Sequence, residues 1–165
     1  MAYFVGAVFL GLALATCQLS HAKKVVGWAE KVCILPENVI VTAKIDTGAD
    51  HSSIDVQAYH LFERDGVRWV RFDINNGQDQ SVTFERKVVR MAKIKRHKGR
   101  HHERPVVNMT ICMGGVKREA DVNLIDRSRF TFRMLIGRSF LEGQFAVDPS
   151  ATFTIEPVCQ GDGNR

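Results

Sequence analysis

A short polar segment after an apolar run is the part of this sequence best suited to chemistry. Asp46-Thr47-Gly48-Ala49 directly follows the run from residue 39 to residue 45. An Asp at the end of a strand, close to a Gly that permits a tight turn, would be exposed to a substrate. Two carboxyl groups held close together share one proton, and such a pair can activate water while polarising a carbonyl group. In such a pair Asp46 would be one of the two carboxyl groups, and the chemistry would be hydrolysis by activated water.

The two residues after Asp46 would support that carboxylate. The Thr47 hydroxyl can fix the turn by hydrogen bonding, and Gly48 lets the backbone of a partner approach. The alternative is a plain turn in which Asp46 binds its own backbone, a common reason for Asp near Gly. One such segment supplies one carboxylate, so the second must come from elsewhere in the chain or from a second copy.

Three further charged residues are candidates for the same site. Asp126 could supply the second carboxyl group within one chain, although an ion pair with Arg127 or Arg138 is the favoured interpretation. Arg104 and Arg138 could orient the site or grip a substrate carboxylate, because a guanidinium group binds a carboxylate in bidentate fashion. A structural salt bridge is an equally good interpretation of both arginines.

One stretch of the sequence is strongly basic. Clustered cations produce a positive potential that could attract phosphates or an acidic substrate, but a solvated hairpin around Gly99 is favoured. The stretch has no aromatic residue on which a base could stack, so no nucleic-acid partner is expected. Its histidines, with His51, match no strong ligand spacing, and no metal or other cofactor is predicted. The basic stretch and its histidines are Arg90, Lys93, Lys95, Arg96, His97, Lys98, Arg100, His101, His102 and Arg104.

The remaining sequence predicts strands rather than helices. Short apolar or alternating runs are broken by Gly, Asn, Asp and Pro, and a period of two is typical of a pleated strand. Helix signal is confined to Gln57 to Glu63 and Ser139 to Leu141. The pattern indicates one all-β, barrel-like domain. The predicted strands are Val25 to Leu35, Val39 to Asp46, Val67 to Ile74, Ser81 to Lys95, Pro105 to Met113, Val116 to Ile125, Arg133 to Ile136 and Phe145 to Ile155.

The first 22 residues are typical of a secretory signal peptide. An apolar run from residue 3 to residue 15 precedes Ser20-His21-Ala22, which has small residues at the usual cleavage positions. The run is shorter than the roughly 18 residues of a membrane span. Cleavage after Ala22 would leave a single domain from residue 23 to residue 165. We therefore expect a periplasmic or secreted protein without a stable membrane span.

Three cysteines remain beyond residue 22, namely Cys33, Cys112 and Cys159. An odd number allows at most one internal bridge and leaves one thiol over. Cys33 and Cys112 lie in strand-like runs, where the favoured interpretation is a small buried apolar residue. The sequence leaves the pairing open.

Two segments far apart in the chain resemble retropepsins. The first is Asp46-Thr47-Gly48-Ala49, preceded by the apolar Ile45, which is similar to the retropepsin active-site loop. The second runs from Met134 to Leu141 and is similar to the apolar-apolar-Gly-Arg segment that retropepsins place after the flap, beside the catalytic loop. The resemblance implies a closed barrel of the acid-protease type. It also implies catalytic roles for Asp46, Thr47 and Gly48, and site-supporting roles for Ala49, Arg104, Asp126, Gly137 and Arg138.

The resemblance narrows to a bacterial group of retropepsin-like proteins that carries the label ATP-dependent zinc protease. No His-Glu-x-x-His or nucleotide-binding loop supports that label. Two positions depart from the group: Asp50-His51 replaces a basic and a hydroxyl residue, and Asp55 replaces a frequent His. The matching segments are 27–32, 43–49, Gly99 with 103–107, 124–128, 135–138 and 147–150.

The resemblance implies an aspartic endopeptidase that acts on peptides or proteins. With one Asp-Thr-Gly loop per chain, we expect a twofold-symmetric homodimer in which Asp46 pairs with its mate, without a covalent intermediate or a cofactor. The flap would lie between Arg71 and Arg104. Asp50 and His51 slightly favour the alternative, a noncatalytic periplasmic module that binds a peptide or protein on the same barrel. A metal-dependent hydrolase is the third interpretation.

Overall fold

The computed structural model describes residues 22–75, 81–95 and 101–157. Within these ranges the chain forms eleven strands and one short helix. The elements are β1 (Lys24–Gly27), β2 (Ala29–Leu35), β3 (Val39–Ile45), β4 (Ser52–Asp55), β5 (Tyr59–Arg64), β6 (Val67–Asn75), β7 (Ser81–Lys95), β8 (His101–Met113), β9 (Val116–Ile125), β10 (Met134–Ile136), α1 (Arg138–Leu141) and β11 (Phe145–Asp148).

Six of these strands close into a barrel in the order β2-β3-β10-β4-β9-β8. The ring is completed by the antiparallel pairing of β2 with β8, where Cys33 lies opposite Cys112. β10 is parallel to β3, and β4 is parallel to β9, so the barrel is mixed. The predicted closed all-β barrel with one short helix is confirmed.

The barrel is filled from alternate positions of its strands. In β3 the side chains of Val41, Ala43 and Ile45 are buried, while Lys44 between them is exposed. This alternation buries apolar surface on one face of each strand and leaves the other face for polar groups. The core also encloses two stacked ring pairs, Phe72 with Phe84 and Phe140 with Phe145.

β5, β6 and β7 continue the sheet beyond the barrel as an antiparallel meander. The prediction of a helix from Gln57 to Glu63 is wrong, because most of that segment lies in β5. Asp65 and Gly66 both have positive φ, 52° and 70°, as a two-residue hairpin turn requires. The Asp-Gly turn and pairing with β6 override the weak helix signal.

The observed strands also differ from the predicted ones elsewhere. The strand from Val25 to Leu35 is divided at Trp28 into β1 and β2, and the strand from Phe145 ends at Asp148 rather than at Ile155. The short strand β4 carries no predicted element. β1 pairs with β11 in a separate parallel sheet, so the division at Trp28 lets one segment serve two sheets. The basic hairpin is paired up to Lys95 and His101, and Gly99 lies outside the described residues.

The two described cysteines differ in chemistry. Cys112 is fully buried and disulfide-bonded, so its interpretation as a plain apolar residue is wrong. The Cys33 Sγ atom is buried 4.0 Å from Asn38 Oδ1. Cys159 lies outside the described residues. In the described part of the chain, no helix is long and apolar enough to cross a membrane.

A buried carboxylate links the segment after β11 to the start of β2. Glu30 is fully buried, and its Oε1 atom accepts hydrogen bonds from Gly27 N at 2.7 Å, Thr154 N at 3.0 Å and Thr154 Oγ1 at 2.6 Å. Because a buried donor without an acceptor is costly, this carboxylate fixes the segment after β11 against the start of β2.

We expect Glu30→Ala to lower the free energy of unfolding by about 2–4 kcal/mol, because it leaves these donors without an acceptor and opens a cavity. Chemical denaturation of the purified protein measures this change. Glu119→Ala, at an exposed position of β9, is the matched control and should change stability by less than about 0.5 kcal/mol. Equal stability of the two variants would contradict the assigned role of Glu30.

Candidate active site

Asp46 begins the loop after β3, at the end of the strand that runs parallel to β10. Its main-chain N–H donates to Ile136 O at 2.9 Å. Its Oδ1 atom accepts from Gly48 N at 2.9 Å and from Ala49 N at 3.2 Å. The side chain is 26% exposed. The loop therefore holds one carboxylate oxygen in place and presents the group at the surface.

The plain-turn alternative and the catalytic interpretation share this local geometry. Gly48 and Ala49 supply the main-chain donors that fix the turn, while the Thr47 side chain is exposed. The role of the Thr47 hydroxyl stays a prediction. The difference between the two interpretations thus lies in what surrounds the loop.

The Gly-Arg segment that follows β10 binds this loop through hydrogen bonds. Arg138 N donates to Ala49 O at 2.9 Å, and Arg138 Nη1 donates to Thr47 O at 3.1 Å and Gly48 O at 3.0 Å. Arg138 Nη2 lies 3.5 Å from Asp50 Oδ1. A guanidinium group that binds successive carbonyls of the loop fixes its path, so Arg138 supports the site by positioning it.

Gly137 makes that close approach possible. Its N–H donates to Ser52 Oγ at 3.2 Å. A Cβ atom at Gly137 would lie 2.6 Å from the carbonyl carbon of His51 and 2.9 Å from Asp50 O. Backbone atoms cannot yield as a flexible side chain does, so only Gly fits between β10 and the segment that enters β4.

A buried polar cluster, which the sequence did not predict, lies beneath β4. Asp55 is 7% exposed and accepts a hydrogen bond from Arg127 N at 2.6 Å through Oδ1. Its Oδ2 atom pairs with Arg133 Nη1. Asp55 therefore joins the end of β4 to both sides of the loop between β9 and β10.

Arg127 brings a buried positive charge to the same region. Arg127 is 5% exposed and donates from Nε to Phe132 O at 3.1 Å and from Nη1 to Ser53 Oγ at 3.0 Å. Burial lowers the pKa of the Arg127 guanidinium, and the negative charges of Asp55 and Asp46 oppose that shift. Arg127 and Asp46 therefore lie close enough to interact electrostatically. From the sequence, Arg127 was considered only as an ion-pair partner of Asp126.

Asp126 and Arg104 line a different cavity from the residues of the loop. Both line a cavity of about 520 Å³ together with Tyr59 and Arg129, whereas Thr47, Asp50 and Arg138 line another of about 570 Å³. Asp126 is exposed, and hydrogen bonds from the Ser128 side chain and main-chain N–H lower its pKa. The favoured ion pair of Asp126 with Arg127 or Arg138 is wrong, because its carboxylate closes a turn with Ser128.

The histidine nearest the loop is exposed. His51 Nε2 lies 3.7 Å from Asp50 Oδ2, so Asp50 is placed between His51 and Arg138. In residues 22–75, 81–95 and 101–157, no three His, Cys, Asp or Glu side chains are grouped closely enough to hold a metal ion. The side chains of His97, His101 and His102 lie outside the described residues.

The barrel and the Asp-Thr-Gly loop bound by Arg138 define a retropepsin-like aspartic endopeptidase domain. Residues 25–157 match the model of the RimB-like family, described as the retropepsin-like aspartic endopeptidase RimB. This match covers more than half of the chain, and the protein belongs to that family.

Curated relatives carry a related domain within longer chains. The protein is 32% identical over 142 residues to a probable alpha-L-glutamate ligase of Shewanella pealeana, covering 83% of this chain and 31% of that protein. It is 31% identical over 134 residues to a protein of the same name from Desulfotalea psychrophila, covering 78% and 29%. The chain thus spans less than a third of the length of these relatives.

A solved structure shares the fold. The crystal structure of a Legionella pneumophila protein of unknown function (DUF785) superposes with a TM-score of 0.70 at 32% identity, covering 82% of this chain and 100% of that one. The closed barrel is therefore common to both proteins.

We expect Gly137→Ala to lower the free energy of unfolding by more than about 2 kcal/mol, because the added Cβ must displace the His51 carbonyl. Thermal unfolding measures the effect. Gly143→Ala separates this clash from backbone strain. Gly143 has φ 76° with no atom near its Cβ position, so that variant should lose only about 1 kcal/mol. Equal losses in the two variants would contradict the clash.

Proposed function

We propose that this protein is an aspartic endopeptidase that hydrolyses peptide bonds with water activated by Asp46. The observation that supports this proposal is the partly exposed Asp46 carboxylate, held through Oδ1 by two main-chain donors in a loop whose carbonyl groups bind Arg138. A fixed carboxylate needs little reorganisation when it takes a proton from water. Family membership supports the same reaction class.

The mechanism requires a second carboxyl group, and we propose that a second copy of the chain supplies it. Among the described residues, no hydrogen bond or ion pair joins Asp46 to another carboxyl group, and Asp126 is engaged in its own turn. Two Asp46 groups on a twofold axis would share one proton. The ionised group would take a proton from water while the protonated one polarises the peptide carbonyl. The protonated dyad would then donate to the leaving amine, without a covalent intermediate.

For the substrate, we propose peptides rich in acidic residues. The relatives named probable alpha-L-glutamate ligase carry this domain in proteins named for joining glutamate. The formal net charge of +5 favours attraction of an acidic peptide. The hairpin of β7 and β8 carries Arg90, Lys93 and Arg104, and we propose that it forms the flap over the substrate.

We also propose a periplasmic or secreted location. This proposal is based on the signal-peptide pattern of residues 1–22, of which residues 1–21 lie outside the described residues. An exported enzyme would meet peptides or proteins of that compartment, and nucleic acid is not among the proposed partners.

Asp46→Asn should abolish cleavage while leaving the fold intact, because the amide cannot accept the proton of water. The test is digestion of a mixed peptide library by the purified protein and by the variant, from about pH 3 to about pH 8, with mass-spectrometric readout. Cleavage by both proteins would contradict the role of Asp46. Absence of cleavage in both would favour the peptide-binding module, which should then bind peptides equally well with Asp46→Ala.

Mixing the wild-type protein with Asp46→Asn tests whether the active enzyme is a dimer. If each chain supplies one carboxyl group, random exchange with an equal amount of Asp46→Asn should leave about one quarter of the activity of wild type at the same total concentration, because mixed dimers are inactive. A monomeric enzyme would retain about one half. Analytical ultracentrifugation at the assay concentration serves as the control for association.

A further inference from the structure

Lys44 lies beside the catalytic carboxylate and has no evident structural task. Its neighbours Ala43 and Ile45 are buried in the core, so the strand alternation directs Lys44 to the opposite face. Lys44 Nζ lies 3.6 Å from Asp46 Oδ2, and the side chain is 48% exposed. An exposed ion pair of this kind contributes little to folding. An ammonium group has three donors, so Lys44 can bind a second acceptor while it faces Asp46.

Cross-strand neighbours connect Lys44 to a second cation, Arg127. Leu135 in β10 is opposite Lys44 in β3 and opposite Ser53 in β4. Residues directly opposite in adjacent strands point to the same face, so the three side chains form a row. Two strand spacings make this row about 10 Å long. At its far end, Ser53 Oγ accepts a hydrogen bond from Arg127 Nη1 at 3.0 Å.

The direct contacts of the Arg127 guanidinium are with neutral groups. Its guanidinium donates to Phe132 O and Ser53 Oγ, and it lies 4.6 Å from the centre of the Phe130 ring. Asp55 instead accepts from the main-chain N–H of Arg127. Within the described part of the chain, no carboxylate forms a salt bridge with the guanidinium of Arg127. Asp55 and Asp46 oppose this buried charge without a direct salt bridge, so a further negative charge near the row would be stabilised.

The charges around the row leave a positive excess next to Asp46. Lys44, Arg127 and Arg133 are opposed there by Asp46 and Asp55, with Arg133 paired to Asp55, whereas Asp50 and Arg138 lie 3.5 Å apart as a separate pair. The apolar Leu135 lies between the two cations and is partly buried. The row therefore combines a short apolar surface with cations at both ends, which suits the methylene groups and carboxylate of an acidic side chain.

We propose that Lys44 is a specificity-determining residue that binds the carboxylate of a Glu or Asp side chain flanking the cleaved bond, with Arg127 adding positive potential from beneath the row. This inference rests on the proposed peptidase function. It assigns the selection of acidic peptides to the face of β3, β10 and β4. The basic β7–β8 hairpin would then contribute less to the choice of the residue next to the cleaved bond.

The test compares peptides that are cleaved by the wild-type protein and differ only by Glu or Gln next to the cleaved bond. We expect a kcat/KM ratio that favours Glu by roughly tenfold or more, falling towards one in Lys44→Gln, because a charge-assisted hydrogen bond is lost. Lys44→Arg should keep the preference. Lys44→Glu should reverse it in favour of a Lys-containing peptide, a gain that misfolding cannot produce.

Lys31→Gln is the matched control, since Lys31 is an exposed lysine of β2 opposite Thr42, farther from Asp46. Its Glu-to-Gln ratio should equal that of wild type. An unchanged ratio in Lys44→Gln, or equal ratios in Lys44→Gln and Lys31→Gln, would overturn the proposal.

Binding separates this inference from the peptidase function. Fluorescence anisotropy of the same two peptides with Asp46→Asn should show tighter binding of the Glu peptide, and the double variant with Lys44→Gln should lose that difference. If the wild-type protein cleaves nothing but this difference in binding is seen, the peptidase function fails and Lys44 recognition stands. Equal binding of both peptides to Asp46→Asn would overturn the role of Lys44.

Discussion

The contact between the end of β3 and the end of β10 is the constraint on which the site depends. The N–H of Asp46 donates to Ile136 O, and the next residue, Gly137, lies against the backbone of His51. Arg138 then binds carbonyl groups of the loop that begins with Asp46. Main-chain groups on both sides are thus used in fixing the loop, and a carboxylate so fixed can act without local rearrangement.

The barrel supplies this contact because its strands are mixed in direction. β10 is parallel to β3 and antiparallel to β4, so its C-terminal end meets the end of β3 and the beginning of β4. The loop after β3 and the entry to β4 are therefore brought to one edge, where the Gly-Arg segment can contact both. A purely antiparallel arrangement of the same three strands would place the Gly-Arg segment at the opposite end of β3.

Two buried carboxylates among the described residues hold segments that are distant in sequence. Glu30 joins the start of β2 to Thr154, and Asp55 joins β4 to the loop that contains Arg127 and Arg133. Removing one partner from such a group leaves an uncompensated polar atom in the interior. These carboxylates therefore specify the path of loops that the apolar core alone would leave undetermined. The Arg127 side chain differs, since its charge is stabilised by neutral acceptors and an aromatic ring.

Local patterns determined much of the fold. The alternation of buried and exposed residues in β3 and β6 was readable because one face of each strand packs in the core. The segment from Gln57 to Glu63 was predicted to be helical, but most of its side chains are exposed, so its pairing with β6, rather than its own periodicity, fixes it as a strand. The strand β4 is short, all four of its residues are buried, and two of them are serines that the barrel satisfies with partners from other elements.

For the site, the sequence by itself determined the chemistry of the loop and the presence of the Gly-Arg segment, since both are encoded in consecutive residues. Only the tertiary structure decided which other groups surround them. It placed Asp126 and Arg104 beside a different cavity from the loop, and it brought Arg127 within electrostatic reach of Asp46. The physical reason is strand register. A contact between residues some 80 or 90 positions apart depends on which strands pair and at what offset, and a shift of one residue would turn each side chain to the other face.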